Sequence, residues 1–332
     1  MKILVTLPTG VIRDSFFTPS VIQKLQLVGH VVWNESTENF NPQELKEKLR
    51  GVDVCITGWG TQRLDASVLE YADALKLVAH SAGSVSGIIS ESLYQKGVRV
   101  ISGNEVFAES VAEGVIAYIL CALRDFPAYL NYIPNGEWRP DSYYTEGLLD
   151  QTVGIVGFGA IAKYTARMLD AFKVKKLVYS SHLSDEACRD YNMRRASLEE
   201  IFSTCRIISL HSSLRADNHG MITAELLRMI SDGALLVNTA RGELIDEKAL
   251  EKELQKGRFK AILDVFTEEP LPAGSKLRGL KNAILLPHVA GPTVDRRPKI
   301  IEGIVENIKN ISAGKPLFWQ IEQAAGERMS LR

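Results

Sequence analysis

The stretch Thr152-Val-Gly-Ile-Val-Gly-Phe-Gly-Ala-Ile-Ala162 constrains this chain more than any other. Val153, Ile155 and Val156 read as a short buried strand, and Gly157, Phe158 and Gly159 as a turn too tight for large side chains. From Lys163 to Phe172 a helix is expected, with apolar Ala166, Met168 and Leu169. Strand, glycine turn and helix in that order place the unpaired N–H groups and positive dipole of a helix N-terminus beyond the strand, where a pyrophosphate is held. Gly157 permits the turn, Gly159 lets backbone approach a bulky anion, and Ala162 supplies a small residue between helix and strand. A second strand at Lys176–Tyr179 gives the context that a bare glycine triad lacks. The stretch therefore reads as a dinucleotide fingerprint, with Gly157, Phe158, Gly159, Ala160 and Ile161 against the phosphates.

A chain of 332 residues is long enough for two cores. Before the fingerprint, apolar runs at Ile3–Leu7, Val31–Trp33, Val52–Thr57, Leu77–His80 and Val98–Ile101 suit buried parallel strands. Pro19–Leu27, Pro42–Arg50, Ala66–Ala72 and Glu91–Lys96 carry helical periodicity between them. A long apolar helix from Ala108 to Leu123 follows. After the fingerprint, strands at Leu177–Tyr179, Ile207–Leu210, Ala234–Asn238, Ala261–Val265 and Ala283–Leu286 alternate with helices at Leu198–Thr204, Ala224–Met229 and Glu247–Lys256. A last amphipathic helix, Pro298 to Ser312, ends at Gly314 and is expected to return to the first domain. The fold class is α/β, a doubly wound Rossmann-type domain (residues 106–291) inserted in a smaller flavodoxin-like α/β domain (1–105 with 292–332). Chain crossings near Glu105 and Ala290 are expected to act as hinges.

A formal net charge of -1 gives no reason to expect nucleic acid as a partner. Cys55, Cys121, Cys188 and Cys205 show no paired or ligand spacing, which fits free thiols in a reducing compartment. The six histidines are dispersed and no metal site is expected. Met1 to Leu7 is too short for a leader or a membrane span, so a cytoplasmic protein without membrane association is expected.

In an open α/β sheet, functional groups gather beyond the carboxyl ends of the strands. Asn238-Thr-Ala-Arg-Gly242, Asp264-Val-Phe-Thr-Glu-Glu-Pro270 and Pro287-His-Val-Ala-Gly291 stand there. Alone, each has an ordinary structural explanation; together they set an arginine, a carboxylate and a histidine on neighbouring strand ends. With the fingerprint, these stretches resemble the D-isomer-specific 2-hydroxyacid dehydrogenase family in order and spacing, weakly from about Leu75 and firmly from Val111 to Gly314. The resemblance implies an NAD(P)-dependent enzyme interconverting a small 2-keto acid and a D-2-hydroxy acid. It implies Arg241 as the group binding substrate carboxylate and carbonyl, and His288 as proton donor and acceptor. Glu269, rather than its rival Glu268, would hold the His288 ring, because the family pattern sets the glutamate directly before Pro270. Asp264 matches the family residue at the nicotinamide carboxamide. Thr239, Ala240, Arg241, His211, Ser212, Ser213, His288 and Gly291 fall on the family's cofactor-contacting segments. The first domain would carry the substrate, and the long apolar helix would form a homodimer interface.

Three departures from the family pattern stand out. The second Rossmann strand ends in Tyr179-Ser-Ser-His182 with no carboxylate for the ribose hydroxyls, so Ser180, Ser181 and His182 are the cofactor contacts there. An Asp would repel a 2′-phosphate, and its absence leaves NAD(H) and NADP(H) both open; His182 and Arg215 are the nearby sources of positive charge. His211-Ser-Ser-Leu-Arg215 stands where the family has a Pro and a Thr. The substrate loop reads His80-Ser-Ala-Gly-Ser-Val-Ser-Gly87, in which the backbone of Gly83 and Ser84 would hold the substrate carboxylate. Trp59, after another first-domain strand, is either a cleft residue or a packed anchor. A reading from another class is an NAD(H)-binding, co-repressor-like regulatory protein with little catalysis.

Overall fold

The structure, a computed structural model, describes residues 1–181 and 183–330. The chain divides into two compact units, Met1–Ser110 with Pro292–Arg332, and Val111–Gly291.

The first unit is built on β1 (Lys2–Val5), β2 (His30–Trp33), β3 (Val54–Thr57), β4 (Leu77–His80) and β5 (Arg99–Ser102). They form a parallel sheet in the order β2-β1-β3-β4-β5, the order of flavodoxin-like folds. Parallel strands need a crossover between them, so both faces are covered and the strands are almost wholly apolar. Side chains alternate between the faces. Ile3, Val5, Ile56 and Ala79 pack with Phe16, Phe17 and Leu25 and with Ile300, Ile301, Ile304 and Ile308 of the late helix Arg297–Ser312. Leu4, Cys55 and Val78 pack on the other face with Leu45, Leu49, Leu69 and Leu93. The late helix thus returns to the sheet with which the chain began.

The second unit holds β6 (Thr152–Val156), β7 (Lys175–Tyr179), β8 (Met193–Arg195), β9 (Ile207–Leu210), β10 (Leu235–Asn238), β11 (Lys260–Leu263) and β12 (Ala283–Leu285). Their order is β12-β11-β10-β9-β6-β7-β8, all parallel. This is the Rossmann order extended by one strand, and the direction of winding reverses between β6 and β9. Register aligns the carboxyl ends. Val156 pairs with both Tyr179 and Leu210, Leu210 with Asn238, Asn238 with Leu263, and Leu263 with Leu285. The residues that follow these positions therefore form a row along one edge of the sheet.

Several elements differ from the sequence expectation. A helix at Val11–Phe16, another at Asp185–Asp190 and strand β8 stand where no element was expected, and Ala66–Ala72 yields only a 3₁₀ turn at Val68–Tyr71. β8 is an edge strand whose Arg194 and Arg195 are exposed, so it lacks an apolar run. The long helix begins earlier, at Asn104, and ends at Leu123. By length and composition it is apolar enough to cross a membrane, but Ala108, Val111, Ala112, Val115, Ile119 and Ala122 are all buried in the protein.

His80, at the end of β4, is 3% exposed, with Nδ1 3.0 Å from Thr57 Oγ1. Burial disfavours its charged form and pushes its pKa down from 6.5 to about 4. An unfolded chain protonates this ring below pH 6.5, whereas the folded chain does not until about pH 4, so unfolding takes up a proton in that window and stability falls with acid. For this ring alone the loss reaches about 2 kcal/mol by pH 5. Urea unfolding at pH 7.5 and pH 5 should show His80→Gln with a shallower pH slope than the parent; equal slopes would remove His80 as a cause.

Candidate active site

The fingerprint folds as a strand, a tight turn and a helix. Gly157 follows β6 at φ +92, a conformation that side chains rarely tolerate. A Cβ on it would lie 2.5 Å from the backbone nitrogen of Ser212, so the two loops at the sheet's reversal point approach as closely as only glycine allows. The Gly157 N–H donates to Tyr179 O at 2.7 Å and the His211 N–H to Val156 O at 2.7 Å. Gly159 is the N-cap of helix Ala160–Leu169, with no side-chain cap among the described residues and nothing within 4 Å of where a Cβ would be. Uncapped N–H groups, a positive dipole end and open space beside glycine are the features an anion needs. Ala160 and Ile161 open this helix, and Ala162 is fully buried behind it. Phe158 lies edge-on to Tyr191 at 5.2 Å.

Ser180 is half-buried and Ser181 exposed at the end of β7, and His182 lies outside the described residues. The His211 ring nitrogen Nε2 is 2.9 Å from Ser209 Oγ, and burial lowers its pKa to about 4, so this ring is neutral at physiological pH. Ser212 Oγ donates to Val156 O, and Ser213 O accepts from the Asn218 side chain at 2.8 Å. Arg215 is engaged by Asp217, Nε to Oδ1 at 2.9 Å.

The loop carrying Arg241 is braced by Asn238, a role local pattern did not assign. Its buried side chain accepts from the Ala240 N–H at 3.0 Å and donates to Arg241 O at 2.8 Å. Thr239 is nearly buried beside it, and Arg241 Nη1 donates to Ala240 O at 2.6 Å. An asparagine closing a strand is the available sequence signal, since it bonds the backbone two residues on.

Glu269 and His288 meet directly. The ring nitrogen Nδ1 is 2.7 Å from Glu269 Oε2, while Glu269 Oε1 accepts the Phe266 N–H at 3.0 Å. The carboxylate is thus held at both oxygens, and the two side chains remain 36% and 49% exposed. Glu268 has no such part. His288 adopts φ +54, a left-handed conformation that costs a non-glycine residue roughly 1–2 kcal/mol. Asp264 supports it. Fully buried at the end of β11, it accepts from the Val289 N–H at 2.8 Å and the Ala290 N–H at 2.9 Å. Burial raises its pKa, against the pull of those two donors. Gly291 comes directly after this clamped turn.

In the first unit, Gly83 lies in the loop after β4, where its carbonyl accepts from Ser102 Oγ at 2.6 Å. Ser84 points its hydroxyl away from this role. Ser84 Oγ and Ser86 Oγ both donate to Ser330 O at 2.8 Å, which straps the loop to the late chain and leaves its backbone as the part able to meet a ligand.

Residues 116–290 match the family model described as "D-isomer specific 2-hydroxyacid dehydrogenase, NAD binding domain". The chain belongs to this family. It is a nicotinamide-dependent oxidoreductase of 2-hydroxy and 2-keto acids. A glyoxylate reductase of Pyrococcus furiosus is 31% identical over 292 residues, 86% of each chain. A D-3-phosphoglycerate dehydrogenase of Methanocaldococcus jannaschii is 30% identical over 317 residues, 95% of this chain and 58% of that one. Among solved structures, an acyclic imino acid reductase in complex with NADPH and D-Arg is 26% identical with a TM-score of 0.79, covering 97% of this chain and 100% of that one.

Asp264→Asn replaces one acceptor oxygen with an amide that faces a backbone N–H, leaving that donor unmatched. We expect the dehydrogenase to lose about 1–3 kcal/mol in urea unfolding at pH 7. An unchanged midpoint would mean that the His288 turn is held by something else.

Proposed function

We propose that this dehydrogenase reduces a small 2-keto acid to the D-2-hydroxy acid, or runs the reverse, with Arg241, Glu269 and His288 as its working side chains. The observation that carries the reading is the 2.7 Å bond between His288 Nδ1 and Glu269 Oε2. With Nδ1–H donated to a carboxylate, Nε2 is the nitrogen left to take and give a proton. In the reducing direction His288 Nε2 donates its proton to the carbonyl oxygen, which becomes the hydroxyl; in the oxidising direction it takes that proton back. The Arg241 guanidinium matches a planar carboxylate with two parallel donors and polarises the adjacent carbonyl. In the first unit, the backbone N–H groups of Gly83 and Ser84 are the candidate donors to a substrate carboxylate. Asp264 acts by positioning His288.

The nicotinamide dinucleotide supplies or receives the hydride at C2 when bound. Gly157, Gly159 and the first turn from Ala160 would hold its pyrophosphate, and Ser180 its ribose. Ser180 brings neither the carboxylate that excludes a 2′-phosphate nor a cation that demands one, and Arg215 is committed to Asp217. We therefore read the cofactor preference as relaxed. The first unit would serve the substrate and the second the cofactor.

The same reading includes a homodimer. Large apolar side chains of the long helix are absent from the exposed set among the described residues; those that are exposed follow it, with Leu130 at 67%, Ile133 at 63% and Trp138 at 74%. A second copy covering this segment explains them better than water does. Light scattering at micromolar concentration should give a dimer for the parent and a monomer for Ile133→Glu with Trp138→Glu; a parent that is monomeric counts against this interface.

Loss of reduced-nicotinamide absorbance with a panel of 2-keto acids tests the activity. NADH and NADPH should support turnover with kcat/KM values within about tenfold, a gap of no more than ~1.4 kcal/mol. His288→Gln should lower kcat by about 10²–10⁴ while cofactor affinity stays within a few-fold. Cofactor binding without turnover on any acid would favour the regulatory-protein reading instead.

A further inference from the structure

Trp59 follows β3 in the turn Gly58-Trp59-Gly60, at the carboxyl edge of the first unit's sheet, and the residue is 37% exposed. The turn is built to hold it there. The Gly58 N–H donates to Thr61 Oγ1 at 3.1 Å, and Thr61 N–H donates back to Gly58 O at 3.2 Å. The Thr61 hydroxyl is anchored on Thr6 Oγ1 at 2.9 Å. Gly60 sits at φ +79, and a Cβ on it would fall 2.3 Å from Asn39 Nδ2. The ring itself is set edge-on against Phe16 at 5.7 Å and Phe107 at 6.3 Å. The Arg297 guanidinium lies 5.9 Å from its centre and 5.6 Å from that of Phe16. Arg297 is fixed in turn, with Nη1 donating to Ser15 Oγ at 2.9 Å and Nε to Pro292 O at 3.2 Å. A large aromatic held in register by its neighbours while part of its surface stays open has the character of a binding wall.

Phe107 joins this wall to the loop after β4. A Cβ on Gly83 would lie 3.6 Å from Phe107 Cδ1. The carboxylate loop and the aromatic wall are thus adjacent within the first unit.

We propose that Trp59 is the specificity-determining residue for the substrate side chain, and that it selects 2-keto acids bearing a bulky apolar or aromatic group at C3. This rests on the dehydrogenase reading above and narrows it to a substrate class. An acid anchored by its carboxylate at Gly83 carries its side chain past Phe107 toward the open indole. Glyoxylate has only hydrogen in that place and gains nothing from the wall.

The test is kcat/KM of the full chain for phenylpyruvate, 2-ketoisocaproate, pyruvate and glyoxylate, in the parent, Trp59→Ala and Trp59→Phe, with thermal melting of each. The parent should prefer phenylpyruvate over glyoxylate by about 100-fold, Trp59→Ala should cut that ratio about tenfold or more, and Trp59→Phe should restore most of it. If Trp59→Ala does not fold, the parent's ranking and Trp59→Phe against Trp59→Leu decide in its place. A parent that prefers glyoxylate, or a ratio that Trp59→Ala leaves unchanged, overturns the proposal alone. A parent that reduces no 2-keto acid overturns the dehydrogenase reading and this proposal with it.

Discussion

A carboxylate removed from water must be met by donors, or its charge costs several kcal/mol. Asp264 has no exposed surface, and it is met by the N–H groups of Val289 and Ala290 while its own N–H continues the ladder to Asn238 O. One residue, through its backbone N–H and its carboxylate, therefore ties together the end of β10, the end of β11 and the turn beyond β12. That turn carries His288 in a left-handed conformation that an isolated residue would leave. The strain is sustained by three bonds at once, two to Asp264 and one from the ring to Glu269. Release of the clamp would let the backbone relax and swing the imidazole off its carboxylate.

The sheet supplies the other half of this arrangement. Parallel strands in register end in a row, so residues distant in sequence emerge side by side with no further device. Gly157, Ser180, His211, Thr239 and Asp264 follow paired positions of five successive strands. At the reversal between β6 and β9 the adjoining loops are splayed by winding in opposite directions, and there the contact between Gly157 and Ser212 closes to backbone distance. A side chain at Gly157 would push the β9 loop away and displace His211 with it.

What was legible in the sequence was whatever is encoded locally. The fingerprint is a run of consecutive residues, and so is each stretch bearing Arg241, Glu269 or His288. Their strand-end positions follow from apolar runs that stop abruptly. The clamp by Asp264 was not legible, since its partners lie 25 and 26 residues on and are backbone groups with no identity of their own. The strap from Ser84 and Ser86 to Ser330 spans about three-quarters of the chain. Strand β8 escaped for a different reason: two of its three residues are exposed arginines, so hydrophobic periodicity had nothing to register.

The same contrast explains why chemistry is easier to read here than specificity. Proton transfer demands particular groups at particular atoms, and few residue types supply them, so the stretches bearing Arg241, Glu269 and His288 stand out once they are read together with the fingerprint. A side-chain wall demands only shape and polarity. Many residues satisfy it, and what distinguishes a functional Trp59 from a packing one is its surroundings: a threonine that closes the turn, a left-handed backbone at Gly60 that side chains rarely adopt, an arginine laid against two rings. None of those is adjacent in sequence to all the others, and Arg297 lies at the far end of the chain, on the helix that returns to the first sheet. The return of that helix thus does more than fill the core: it delivers the guanidinium that holds Phe16 and Trp59 in place.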